Sequence, residues 1–165
     1  MFADLLILDR PQIFIRGTVN KDLGTVEDKE VCEQSESITY GTGANQANEV
    51  WGDKRTLAAT SETLDLSGVL VNGFGSTVTL SKVKGIEIRN LSTTSGEVLT
   101  VGGAASNQFL ACFGSGTDKI KIGAGGVLLL TAPVDGFTVT GGTADQLKID
   151  SGAATLDYQI LIWGN

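Results

Sequence analysis

Thr117-Asp118-Lys119-Ile120-Lys121-Ile122, then Gly123-Ala124-Gly125-Gly126, then Val127-Leu128-Leu129-Leu130 open the stretch that decides the fold. After Pro133 and Asp135-Gly136 follow Phe137-Thr138-Val139-Thr140, Gln146-Leu147-Lys148-Ile149 and the run from Leu156 to Trp163. Short runs rich in β-branched and aromatic residues, broken by Gly, Asp and Pro, predict antiparallel strands folded into a sandwich. No helix of ordinary length fits between them. The stretch carries no catalytic motif, so function has to be sought in shape and surface.

The last run is the most informative. Leu156, Tyr158, Ile160 and Ile162 alternate with Asp157, Gln159, Leu161 and Trp163, so the first set faces a core. The second set ends in Leu161 and Trp163, where a solvated face calls for polar groups. Two readings stand: a subunit contact through Leu161 and Trp163, or a neighbouring loop of the same chain that covers them. Val127 to Leu130 is apolar at every position, which predicts a strand covered on both faces and central to the sandwich.

Upstream, Lys84-Gly85-Ile86-Glu87-Ile88-Arg89-Asn90 predicts a half-buried strand with Ile86 and Ile88 inward. A slip of one residue would bury both charges, which fixes its register. Ser61 to Leu66 alternates with Leu64 and Leu66 on one face, and Ser37-Ile38-Thr39-Tyr40 is strand-like. Val69 to Gly75 reads as a turn region, and Phe109, Leu110 and Phe113 read as anchors of a small-residue loop. Residues 1–36 are read as an N-terminal arm and connection, and residues 37–165 as the sandwich domain. Within the arm, the alternating Gln12-Ile13-Phe14-Ile15-Arg16 predicts a strand. It could reach a neighbouring subunit through Ile13, Phe14 and Ile15, or lie along its own sheet. Lys21 to Ser37 is charged and without an apolar period, so it reads as a loop.

The chain has 165 residues, one domain's worth, long enough to bury about 70% of its unfolded surface without a disulfide or metal. Hydrophobic residues at 41% against charged residues at 19% suit a globular fold. A formal net charge of −7 with no Lys/Arg cluster speaks against direct nucleic-acid binding. No run is long and apolar enough for a membrane span, and Leu5-Leu6-Ile7-Leu8 lacks a basic leader, so synthesis in the cytoplasm without common export is expected.

There is no His, and Cys32 and Cys112 lie far apart, which removes His-based triads and the usual zinc sites. Whether the two thiols stay free or pair is open. Asp118, Asp135, Asp145, Asp150 and Asp157 are acids of the type a carboxylate pair needs, but most sit beside Gly, Ser or Thr, where Asp caps turns. No Ca²⁺-loop pattern is present, and the glycine runs lack the Lys-Ser/Thr of a phosphate cradle. The expectation is no enzyme and no cofactor. Trp51 and Trp163 are a thin version of the aromatic platform a glycan-binding sandwich would need.

Three blocks carry a resemblance. They are Leu64-Asp65-Leu66-Ser67-Gly68 with Lys82 to Ser92, then Val101-Gly102-Gly103-Ala104 with Gly125 to Pro133, and the closing Tyr158 to Gly164. They resemble small all-β structural proteins of tailed bacteriophages, over about residue 37 to the end. The resemblance implies a head decoration (cement) protein on a jelly-roll-like sandwich. It further implies a homotrimer on the capsid surface of the virion, with the major capsid protein as partner. The alternative is a tail or host-surface module that binds tail proteins or a surface glycan. It supplies no active-site residues.

Overall fold

Sixteen strands and no helix make up the computed structural model, which describes residues 6–7, 12–21, 24–33 and 37–165, with side chains from Ser37 onward. The strands are β1 (Leu6–Ile7), β2 (Gln12–Lys21), β3 (Gly24–Glu33), β4 (Ser37–Tyr40), β5 (Gln46–Ala47), β6 (Glu49–Ala58), β7 (Ser61–Asp65) and β8 (Ser67–Val71). Then come β9 (Thr77–Thr79), β10 (Lys82–Asn90), β11 (Leu99–Val101), β12 (Ile120–Ile122), β13 (Val127–Thr131), β14 (Phe137–Thr138), β15 (Gln146–Asp150) and β16 (Thr155–Gly164).

Two antiparallel sheets form the sandwich. The larger has the order β13-β10-β16-β6, with β14 also on β10; the smaller has the order β12-β11-β15-β7. Period-2 alternation sets what each sheet turns inward. β10 supplies Val83, Ile86 and Ile88, and β16 supplies Leu156, Tyr158, Ile160 and Ile162. The smaller sheet answers with Leu64, Leu99, Val101, Ile122, Leu147 and Ile149, and all of these belong to one continuous core. Phe109 is buried in it and Phe113 packs against it, as anchors should, whereas Leu110 is largely exposed. β12 and β15 pair with β11 from opposite sides.

Three expectations need correction. Val127–Thr131 is not central: β13 closes one edge of the larger sheet, with Val127 and Leu129 exposed. Its continuous apolarity goes with an edge position among the described strands, not with a doubly covered strand. Val69–Gly75 is not only a turn, because β8 occupies its first half and pairs with β9. Most of the charged segment after Lys21 is strand β3, whose ten residues pair in register with β2, Val26 opposite Val19 and Val31 opposite Phe14. The pairing partner, not an apolar period within β3, makes it a strand. Among the described elements β2 and β3 pair only with each other.

The N-terminal portion also reaches the body. β1 pairs with β4 through Leu6 and Ile38, and β4 runs parallel to β5. The β4–β5 loop is tied to two distant places. Asn45 N donates to the Pro133 carbonyl at 2.8 Å, and the Asn165 amide donates to the Thr42 carbonyl at 2.7 Å. Below it, Gly85 on β10 lies opposite Trp163 on β16, and a Cβ at Gly85 would overlap the indole ring. Lys82 and Lys84 flank this point and grip the next loop. Lys82 Nζ donates to the Asp135 carbonyl at 2.8 Å and Lys84 Nζ to the Val134 carbonyl at 2.7 Å. Burial, with Lys82 close by, lowers the Lys84 pKa.

Gly85→Ala should therefore cost about 3 kcal/mol or more, because the ring is buried and has nowhere to move. Gly73→Ala, where an added methyl meets nothing, should shift stability by less than about 1 kcal/mol. Urea unfolding of the two variants checks the contrast.

Candidate functional site

Leu161 and Trp163 share the outer face of β16, as the alternation requires, but their surroundings differ from a free surface. Trp163 has 0% exposure and packs with Ile38 of β4 and Ala47 of β5, with Leu161 partly buried against the same cluster. Its full burial inside one chain corrects the expectation that Trp163 itself meets a neighbouring subunit. The alternative weighed for it, cover from the same chain, is what the structure has. Its indole N–H is buried and finds no acceptor among the described residues, which costs about 1–3 kcal/mol against the large apolar gain of the ring. Ile13, Phe14 and Ile15 lie on β2 opposite Cys32, Val31 and Glu30, and their side chains fall outside the described residues.

The best-built cluster of titratable groups joins the two sheets. Glu62 on β7 accepts from the Tyr158 hydroxyl of β16 at 2.8 Å, and its other oxygen accepts from Arg55 Nε of β6 at 2.8 Å. Arg55 also meets Asp53 at 2.9 Å. The bond to Glu62 raises the Arg55 pKa, and burial raises that of Tyr158. Glu62 is thus satisfied on both oxygens by one sheet while standing on the other. A carboxylate so engaged ties the two layers together.

The acids singled out in the sequence are not brought together into a pair. Asp145 caps its own turn by accepting from Gly142 N, and Asp150 accepts from Gly152 N at 2.8 Å. That backbone bond lowers the Asp150 pKa. Asp157 accepts from the Thr56 hydroxyl at 2.6 Å and pairs with Lys54 at 3.0 Å on the outer face of the larger sheet. Asp135 receives Lys82 through its carbonyl, and Asp118 stands in the loop before β12. Among the described residues no group of three acids, cysteines or histidines is placed to hold a metal. Cys112 is partly buried, which pushes its thiol pKa up to about 11 and suppresses the reactive thiolate.

An open groove of about 660 Å³ runs beside β11, β12 and the end of β15, lined in part by Glu97, Lys119, Lys121 and Asp150. Two acids and two lysines line it, so these groups carry no net charge between them. Trp51 is 5% exposed and in the core, so neither tryptophan offers the platform a glycan would stack on.

What the sequence reading missed is exposed apolar surface on rigid strands. Edge strand β13 shows Val127 and Leu129. Hairpin β8–β9 shows Val69 and Val71 on its outer side, while Leu70 and Val78 are buried on its inner side. At its tip Phe74 is 98% exposed. Leaving such a side chain in water forgoes about 1.5–3 kcal/mol of burial. The signal was available: no charged residue stands between Asp65 and Lys82, and Phe74 sits between two glycines. Comparison with protein-family models, curated proteins and solved structures finds no match.

The clamp predicts an alkaline limb. Tyr158 titrates near its ordinary value when unfolded and higher when folded, so the folded state holds its proton longer. Its contribution is complete below about pH 10 and is lost as pH rises above that. Tyr158→Phe should lower stability by about 1–2 kcal/mol at pH 7 and flatten the decline above pH 10. Denaturant unfolding at pH 7 and pH 10.5 reads both effects.

Proposed function

We propose that the chain is a non-enzymatic structural protein of a tailed bacteriophage virion, a capsid decoration protein that stabilises the head by bridging shell subunits. The observation that carries the interaction reading is the apolar edge β13, which exposes Val127 and Leu129 at the rim of a rigid sheet. An apolar strand at a sheet edge favours association, and proteins that work as monomers blunt such edges with charge, Pro or a covering loop. Arg55, Glu62, Lys82 and Lys84 are engaged in holding sheets and loops together. The phage and capsid parts of the reading rest on the sequence blocks that resemble such proteins, and so does the trimer.

A bridging protein must bury about 1,000 Å² or more per specific contact. β13 supplies one part of that area and the β8–β9 hairpin another. Purified particles separated by gel should contain the chain in a copy number comparable with the shell protein. A few copies located at the tail, or none in the particle, would contradict the head-decoration reading.

A further inference from the structure

Asn72 is followed by Gly73, and no other asparagine in the sequence is followed by Gly. The pair stands at the tip of hairpin β8–β9. An asparagine amide can be attacked by the main-chain nitrogen of the next residue, and glycine, having no Cβ, obstructs that attack least. The structure sets out the parts of this reaction around Asn72. Its Oδ1 accepts from Phe74 N and from Ser76 N, each at 3.0 Å. Negative charge gathers on that oxygen when Cγ is attacked, and two backbone N–H donors are already aimed at it. Its Nδ2, the group that departs, has no acceptor among the described residues. Gly73 is exposed, and a Cβ built on it would meet nothing within 4 Å, so no neighbour crowds the attacking residue. Asn90 is the contrast: Leu91 follows it, and its Nδ2 is held by the Glu97 and Ile122 carbonyls at 3.2 and 3.0 Å.

We propose that Asn72 is a site of self-modification, at which the chain converts its own asparagine to aspartate or isoaspartate. Gly73 N bonds to Asn72 Cγ and gives up its proton to solvent. The Cγ–Nδ2 bond breaks, and Nδ2 leaves as ammonia. Water then opens the five-membered imide. Cleavage between Gly73 N and Cγ leaves aspartate, and cleavage between Gly73 N and the main-chain carbonyl leaves isoaspartate. The step needs no oxidant or reductant. Either product puts a negative charge into a segment that has none between Asp65 and Lys82, beside the exposed Val69, Val71 and Phe74. Aspartate keeps the loop, because a carboxylate oxygen accepts the same two N–H groups more strongly. Isoaspartate inserts an extra backbone carbon into the turn that Gly75 N and the Asn72 carbonyl close at 2.9 Å. The outer side of this hairpin thus changes character with the age of the chain.

The test keeps purified, folded chain in warm, mildly alkaline buffer made with heavy-oxygen water. Ion exchange follows its charge and peptide mass mapping locates the label. A more acidic species should accumulate, part of it eluting with Asn72→Asp, and the heavy oxygen should sit at position 72. Gly73→Ala keeps the fold, since the added methyl meets nothing. It should form the acidic species about tenfold or more slowly, because the methyl disturbs the approach of nitrogen to Cγ. Three results would each overturn the inference. One is label entering another asparagine first. Another is wild type and Gly73→Ala reacting at the same rate. The third is acidic species forming in urea-unfolded chain but not in folded chain, which would show that the ordered turn shuts the reaction off.

Discussion

The packing of Trp163 on Gly85 is the contact on which the outer half of the molecule depends. β16 pairs with β6 along its whole length and with β10 from Tyr158 to Gly164. Its inner residues fill the sandwich core. Its outer face would end in a bare indole if the β4–β5 segment did not close over it with Ile38 and Ala47. Only a residue without a side chain lets the ring lie flat on β10, and that is what stands at position 85. The same contact locates the β4–β5 loop, which bonds to Pro133 and Asn165, while Asn48 just after β5 bonds to Gly164. A single aromatic ring thereby joins the front of the chain to its end.

The sandwich is closed by unlike devices at its different margins. Between the sheets, the Arg55–Glu62–Tyr158 clamp satisfies a buried hydroxyl and a carboxylate together, so removing one partner strands another. At the loop after β13, Lys82 and Lys84 turn two cationic side chains onto carbonyls, which fixes the loop. With these groups engaged, the β13 edge and the β8–β9 tip remain as exposed apolar surface beside exposed charges such as Lys54, Arg89, Lys119 and Lys121. Those apolar groups are what supports the proposal that the chain works in an assembly.

Strand identity was legible wherever one face is buried and the other solvated. Ile86 and Ile88 against Glu87 and Arg89, and Leu156 to Ile162 on β16, announce their register by alternation alone. Legibility failed where cover comes from remote sequence. Val127 to Leu130 has the pattern of a central strand and lies at an edge, because apolarity states a preference for burial and not whether a neighbour supplies it. Trp163 pointed outward as read, but Ile38 and Ala47, more than a hundred residues earlier, cover it. The Glu62 clamp was invisible for the same reason: its members become neighbours only when the sheets stack. Phe74 was hidden by its glycines, which read as turn and drew attention from the ring between them.

The central claim, that the apolar end of β16 is covered by its own chain and not by a neighbour, is tested most directly by acrylamide quenching of Trp163 in a Trp51→Phe variant. Cover supplied within one chain does not depend on protein concentration, whereas cover supplied by a partner is lost on dilution. The account predicts an emission that stays shielded from quencher from micromolar down to nanomolar protein. Shielding that disappears on dilution would show that another subunit buries Trp163, and would contradict the account.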